Sequence, residues 1–146
     1  MKIFIILGLI FSFINLSYSK ECSGKWSNTV KMLDTIDLGE GTTLTVLSTR
    51  GSTTSDNSKN NAVGGCGVLV LNLPNGETKT MGSCFRKTSD GTWTDIVGQN
   101  PGESEGYWKF LEGAGSLEGF KGEGTFDTIF ANSETSIGNW KGECNK

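Results

Sequence analysis

Residues 66–84 read CGVLVLNLPNGETKTMGSC. Two β-prone runs flank the sequence Pro-Asn-Gly-Glu at 74–77, and an Asn-Gly pair between such runs is typical of a hairpin turn. Cys66 and Cys84 are equidistant from Asn75, so strands that stay paired that far place the two cysteines opposite each other. Directly opposed Cβ atoms lie about 4.5–5.5 Å apart, close to the spacing that a disulfide requires. The stretch therefore predicts a hairpin bridged by a Cys66–Cys84 disulfide.

The rest of the chain repeats this alternation of strands and turns. No segment has the apolar period of a long helix, although a short helical turn within residues 30–38 is an alternative. Glycine is frequent and also falls inside the strand patterns, where it favours the bends that close a sheet. We predict an all-β, antiparallel barrel of about eight strands, with a β-sandwich as the alternative. The predicted strands are residues 25–36, 42–49, 66–73, 78–86, 92–98, 106–112, 124–131 and 135–143.

Two further cysteines, Cys22 and Cys144, lie near the two ends of the same region. Four cysteines in an exported chain indicate two disulfides, for which three connectivities exist. With Cys66 and Cys84 paired across the hairpin, the other bond joins Cys22 to Cys144 and ties the ends of the domain together. The alternative is that some or all of the cysteines stay reduced as small buried side chains.

The first 19 residues have the pattern of a secretory signal peptide. A positive charge at Lys2 precedes an apolar run, and small residues follow at Ser17 and Ser19. The run is shorter than the roughly 20 residues that a membrane-spanning helix needs. We expect cleavage near Ser19-Lys20, which leaves residues 20–146 as a single domain in the periplasm or secreted.

Composition excludes several classes of function. The net charge is −3, and Lys2 is the only charge in the first 19 residues, so the mature chain is one unit more negative. An acidic chain lacks the basic surface of a nucleic-acid binder, and it has no basic patch for a membrane. There are no histidines, which removes the commonest general base and metal ligand. No pair of cysteines has zinc-ligand spacing, so we expect no metal and no cofactor.

Residues 113–126 read GAGSLEGFKGEGTF, in which glycines recur around Leu117, Phe120 and Phe126. The pattern predicts a tight turn, a short bent strand, a second turn and a new strand from Gly124. It resembles the stretch that joins two late strands in barrels of the allene oxide cyclase and dirigent type, and in an uncharacterised bacterial family. The resemblance implies a calycin/allene oxide cyclase-like barrel, often oligomeric, with a cavity for a hydrophobic molecule. From this resemblance we infer the fold for this chain and not the activity.

A second similarity lies at residues 22–28, CSGKWSN, which resemble the opening strand of avidin-type barrels. In that family a Gly-x-Trp-x-Asn stretch contributes an asparagine to biotin, and residues 107–110 are similar to a later strand containing tryptophan. Too little chain follows Trp108 to supply that family's remaining strands. We therefore expect Trp26 to close one end of a barrel and do not expect biotin binding.

The candidate site residues are large aromatic side chains and one acid. Tryptophan offers a large apolar area and one hydrogen-bond donor, which suits both cavity walls and ordinary core packing. Asp95 alternates onto the same strand face as Trp93. An acid inside a barrel would have a raised pKa and could act as a general acid or base. The predicted ligand-binding residues are Trp26, Trp93, Asp95 and Trp108.

The opposite expectation for the charged residues is that they face solvent. Asp127, which shares a face with Ile129, is the second candidate acid, and Arg86 could neutralise an interior acid or bind an anionic ligand. Solvent exposure is the commoner state for such side chains, and it is what we expect for Asp95, Asp127 and Arg86 unless the barrel encloses them.

These observations predict an exported barrel that binds a small hydrophobic ligand or acts as an accessory scaffold. One alternative is a protein-interaction module, such as a hydrolase inhibitor, that uses an exposed loop at residues 52–61 or 99–105. A second is a cyclase- or isomerase-like enzyme that orients a lipid-derived substrate. A binder or enzyme needs an internal apolar cavity, with an acid or arginine pointing inward for the enzyme, whereas an inhibitor needs a filled barrel and a rigid loop.

Overall fold

The computed structural model describes residues 20–56 and 61–145. The predicted signal peptide lies outside these residues. Eight strands, β1 to β8 in chain order, account for most of the described chain. Their bounds are Lys20–Gly39, Thr42–Ser55, Ala62–Asn72, Thr78–Lys87, Gly91–Gln99, Gly106–Gly115, Lys121–Ala131 and Thr135–Asn145. Within the two described ranges, no helix is long and apolar enough to cross a membrane.

Each strand pairs antiparallel with the next one in the chain, and β1 pairs with β8, so that the sheet closes into a barrel. The closed ring confirms the prediction of an eight-stranded antiparallel barrel over the sandwich. Turns at residues 40–41, 73–77, 100–105 and 132–134 all lie at one end, which we call the upper end. The lower end carries residues 88–90 and 116–120, and β1 begins and β8 ends there.

The hairpin of β3 and β4 has the predicted register. Cys66 is the direct partner of Cys84, and the turn is held by a hydrogen bond from the Leu73 N–H to the Glu77 carbonyl at 2.8 Å. Gly76 has a φ of 84°, a left-handed conformation that glycine adopts without steric cost. The Asn75-Gly76 pair therefore predicted both the turn and the strand pairing around it correctly.

Both predicted disulfides are present. Cys66–Cys84 bridges neighbouring strands within the hairpin, and Cys22–Cys144 links β1 to β8 across the seam where the barrel closes. Two disulfides are consistent with a protein of an extracellular or periplasmic compartment, since such bonds persist in oxidising environments.

Two local expectations, the loop that begins at residue 52 and the alternative of a helical turn within residues 30–38, were wrong. Residues 52–55 are not part of a loop but the last residues of β2, where Thr53 is buried against the barrel interior. Residues 30–38 form no helical turn, because β1 continues through them and pairs with β2. Strand β1 runs beyond its pairing with β8, which ends at Thr29, and the extension exposes Met32, Leu33 and Leu38.

The glycine-rich stretch also differs from its prediction. Residues 113–115 remain in β6, and a single turn at 116–119 leads to β7, which begins at Lys121. No short strand separates two turns. Gly115 and Gly119 have φ values of 69° and 75°, so the glycines supply the left-handed conformations that this turn requires.

A small apolar cluster fills the lower end of the barrel. Buried Ala62, Trp93 and Leu117 form its centre, and Phe110 and Phe120 pack against them. Leu117 comes from the glycine-rich turn itself. The turn therefore folds inward and closes the barrel floor. Trp26 lines the cavity, and its expected role in closing one end stays a prediction.

Candidate functional site: the barrel interior

The barrel encloses a cavity of about 370 Å³ above the apolar cluster. Its wall includes Gln99, Asn132 and Ser136, which lie where strands end or begin at the upper end of the barrel. The cavity thus extends from the floor formed by Leu117 and Phe120 to the upper rim. A cavity of this size falls in the range that holds a small organic molecule.

All four predicted ligand-binding residues line the cavity: Trp26, Trp93, Asp95 and Trp108. The fourth tryptophan, Trp140, also faces it, so every tryptophan of the chain borders the same space. The Trp108 ring stands edge-on to Trp140, with ring centroids 5.6 Å apart. The wall is therefore mainly apolar and aromatic.

Glycines on neighbouring strands make room for three of these indoles. A Cβ atom added at Gly138 would lie 2.7 Å from the Trp26 ring, and one at Gly142 would lie 2.7 Å from the Trp108 ring. A Cβ atom added at Gly24 would lie 2.7 Å from the Trp140 Nε1 atom. Each indole thus lies against bare backbone, which allows large rings on the inner face of a narrow barrel.

The indole N–H groups of Trp108 and Trp140 donate hydrogen bonds to backbone carbonyls. Trp108 Nε1 donates to the Lys141 carbonyl at 3.2 Å, and Trp140 Nε1 donates to the Thr54 carbonyl at 3.1 Å. Because buried donors are costly when unpaired, these bonds fix the orientation of both rings. The aromatic wall is preorganised.

A charged pair interrupts the apolar wall. Arg86 Nε donates to Asp95 Oδ1 at 3.1 Å, and the two side chains are only 12% and 6% exposed. Trp93 Nε1 donates to the same carboxylate oxygen at 2.9 Å, and Arg86 Nη1 donates to Thr53 Oγ1 at 2.7 Å. The expectation that Asp95 and Arg86 face solvent was wrong, because the closed sheet turns the inner faces of β4 and β5 away from water.

Asp127 takes no part in this site. Its carboxylate accepts a hydrogen bond from Asn139 Nδ2 at 3.3 Å, while its neighbours Phe126 and Thr128 line the cavity. Strand alternation therefore places Asp127 on the outer face. Of the two candidate acids, only Asp95 lies inside the barrel.

Burial raises the pKa of Asp95 above its ordinary value of 3.8, although the charge of Arg86 and the hydrogen bonds from Arg86 and Trp93 oppose the rise. A raised pKa means that the folded state binds the Asp95 proton more tightly than the unfolded state. The contribution of Asp95 to stability is therefore full below the unfolded pKa and is lost as the pH rises through the folded pKa.

The predicted loss of stability with rising pH can be tested with Asp95→Asn, which keeps the shape of the side chain and does not titrate. We expect the wild type to lose stability relative to Asp95→Asn as the pH rises from about 4 to about 8. Urea unfolding at a series of pH values measures the difference in the free energy of unfolding. If the wild type instead becomes more stable relative to the variant as the pH rises, the pKa of Asp95 is lowered. The charge of Arg86 would then outweigh the effect of burial on this pKa.

Several cavity residues were missed in the sequence. Thr49 and Thr53 lie on the inner face of β2, but threonine in an alternating strand is as common on an outer face as on an inner one. Phe126 and Trp140 also line the cavity. Their signal was present, since each alternates with polar neighbours, but the inner face could be assigned only once the ring closed.

No group of three or more potential metal ligands occurs among the residues that the structure describes. Among the residues of 20–56 and 61–145 that line the cavity, the charged ones are Arg86 and Asp95, and they form an ion pair with each other. The site is thus suited to hydrogen bonding and apolar contact.

Comparison of the sequence with models of known protein families and with curated proteins finds no match. Among solved structures, the pterocarpan synthase dirigent protein GePTS1 is similar, with a TM-score of 0.56 and 12% identity over 86% of this chain and 88% of that one. PsPTS1, a second pterocarpan synthase dirigent protein, has a TM-score of 0.56 and 11% identity over 86% and 95%. Pyocyanin demethylase has a TM-score of 0.43 and 15% identity over 78% and 97%. This chain shares its all-β barrel fold with dirigent proteins.

Proposed function

We propose that this protein binds a small, mostly apolar molecule inside its barrel. The observation that carries the proposal is the aromatic cavity of about 370 Å³ that reaches the upper rim. A filled barrel would instead favour an interaction module. Burying apolar ligand surface against Trp26, Trp108 and Trp140 supplies the affinity, and Trp26, Trp93, Asp95 and Trp108 are its proposed contacts.

The proposal includes export. The signal-peptide pattern at the start of the chain and the two disulfides support a periplasmic or secreted location. A mature chain that begins at Lys20 and lacks free thiols is the expected form. Mass spectrometry of the protein purified from its own source tests both features together with any retained ligand.

A dye titration tests the cavity directly. N-phenylnaphthylamine, which is neutral and fluoresces in apolar surroundings, should bind the wild type saturably at one site. Val68→Phe places a larger side chain in the cavity, since Val68 lines it, and should weaken binding by about tenfold or more. Val63→Phe is the matched control, because Val63 lies on the same strand but is 62% exposed.

Retention of full dye binding by Val68→Phe would contradict the proposal. In that case the dye would occupy the outer surface, where Leu69, Met81 and Phe85 are exposed. Loss of binding in Val63→Phe alone would lead to the same conclusion. Circular dichroism of both variants establishes that the barrel is intact before either titration is interpreted.

A second candidate function is a cyclase- or isomerase-like activity on a lipid-derived molecule held in the cavity. The buried Asp95 beside Arg86 favours it, because a buried carboxyl group with a raised pKa is suited to proton transfer. If Asp95 transfers a proton, Asp95→Asn should abolish turnover of a bound substrate but weaken binding of the neutral dye far less than Val68→Phe does. A pure binder would show no turnover in either form.

A further inference from the structure

Two pairs of polar side chains line the upper part of the cavity on opposite sides of the ring. Asn28 on β1 is the direct partner of Ser136 on β8, and Thr80 on β4 is the direct partner of Gln99 on β5. All four residues line the cavity, so both pairs lie on the inner face. Ser136 is the second residue of β8 and Gln99 is the last of β5, which places both pairs near the upper end. We call these four residues the polar collar.

The polar collar has hydrogen-bonding capacity that the protein itself leaves unused. Within residues 20–56 and 61–145, three of its four side chains make no hydrogen bond. The fourth, Gln99, uses only Nε2, which donates to the Glu103 carbonyl at 2.7 Å. All four residues are partly exposed. In the described chain the buried polar side-chain atom without a partner is Thr49 Oγ1, so the free atoms of the collar are accessible from the cavity.

The charged pair deeper in the barrel offers less to a ligand. Asp95 Oδ1 already accepts hydrogen bonds from Arg86 and Trp93, and Arg86 also donates to Thr53 Oγ1. Because these groups satisfy one another, the wall below the collar presents mainly aromatic and aliphatic surface. A polar group on the ligand is therefore best placed at the collar, which is also the part of the wall nearest to water at the upper rim.

We propose that the polar collar binds an uncharged head group, a hydroxyl or an amide, carried by the otherwise apolar ligand. The inference rests on the proposed ligand binding and specifies the ligand's class. Directly opposed Cβ atoms lie about 4.5–5.5 Å apart, so one head group can contact both members of a pair. Each pair combines a hydroxyl donor with an amide acceptor, which suits a group that both donates and accepts.

The charges around the collar explain why the head group is uncharged. The upper turns contain no lysine or arginine but carry five glutamates, which disfavour an anion: Glu40, Glu77, Glu103, Glu105 and Glu134. None of these glutamates lines the cavity. The carboxylate in the described cavity wall, Asp95, is already paired with Arg86, so a buried cation would lack a partner, which is costly. The collar therefore selects an alcohol or amide over an acid or amine.

Four naphthalenes with different head groups test the collar: ethylnaphthalene, naphthaleneethanol, naphthaleneacetate and naphthaleneethylamine. In isothermal titration calorimetry, the wild type should bind the alcohol more tightly than either charged compound.

The double variant Thr80→Val with Ser136→Ala removes one hydroxyl from each pair. It breaks no hydrogen bond among the described residues, so it should melt like the wild type. We expect it to bind naphthaleneethanol about 3- to 10-fold more weakly, the equivalent of one neutral hydrogen bond, and ethylnaphthalene as tightly as the wild type does. Thr94→Val with Ser27→Ala is the matched control, because both residues alternate with cavity-lining neighbours and so lie on the outer face.

The outcomes distinguish this inference from the proposed function. If the wild type binds ethylnaphthalene but the collar variant binds naphthaleneethanol as tightly as the wild type does, the collar is wrong and the cavity proposal stands. An equal loss of naphthaleneethanol binding in the outer-face control would also contradict the collar. Tightest binding of the acid or the amine would overturn the uncharged head group. If none of the four compounds binds the wild type, ligand binding in the cavity fails along with the collar.

Discussion

Replacing both Cys22 and Cys144 with alanine is expected to lower the free energy of unfolding by about 4–5 kcal/mol. The bond joins residues 122 positions apart, and a cross-link that closes so long a loop removes much of the conformational freedom of the unfolded chain. It also joins β1 to β8, the pairing that closes the barrel. Urea unfolding under oxidising conditions measures the loss.

The matched control removes the other bond. Cys66→Ala with Cys84→Ala opens a loop whose ends are only 18 positions apart, for which the same reasoning gives about 3 kcal/mol. The variant without Cys22 and Cys144 should therefore be the less stable of the two. The reverse order would mean that packing around buried Cys84 matters more than loop closure.

Arg86→Met is expected to cost about 3–5 kcal/mol of stability near neutral pH. The substitution keeps most of the side-chain length but leaves the Asp95 carboxylate buried without its cation. Loss of the Arg86 charge and hydrogen bond removes two of the influences that hold the pKa of Asp95 down, so this pKa rises further. The lost stability should then return as the pH falls through the raised pKa and Asp95 becomes neutral.

The chain offers controls for both parts of this argument. Arg50, the other arginine of the chain, is exposed on β2, and Arg50→Met should change stability by less than about 0.5 kcal/mol. Adding Asp95→Asn to Arg86→Met removes the unpaired charge and should restore much of the stability at neutral pH. A double variant no more stable than Arg86→Met alone would show that Arg86 acts through packing rather than charge.

The sequence predicted the strands well because their signals are local. The Asn75-Gly76 turn, the alternation around it and the symmetric cysteines specify one register, and a slip by one residue would turn every side chain to the opposite face. The end of β2 was missed because such a local signal is absent there. Residues 52–55 contain only serine and threonine, so the burial of Thr53 comes from strands distant in sequence rather than from the composition of this stretch.

The candidate site was predictable only in part. Trp93 and Asp95 share a face by strand alternation, and the tryptophans stood out by size, so four cavity residues could be named. The burial of Arg86 could not be deduced, because it depends on which face of the sheet becomes the inside. The Thr49 hydroxyl, which is buried without a hydrogen-bond partner among the described residues, was still harder to predict, because its surroundings come from other strands.

The first and last strands of the barrel, β1 and β8, are neighbours. Lys20 pairs with Cys144 at the lower end, so a short linker could join them without disturbing the sheet. New termini could then open at an upper turn, such as residues 73–77. Because consecutive strands are neighbours all round the ring, such a circular permutant would keep every strand pairing. We expect the fold to tolerate a polypeptide that starts in this turn, and the upper turns are then places to graft a tag or reporter near the cavity mouth.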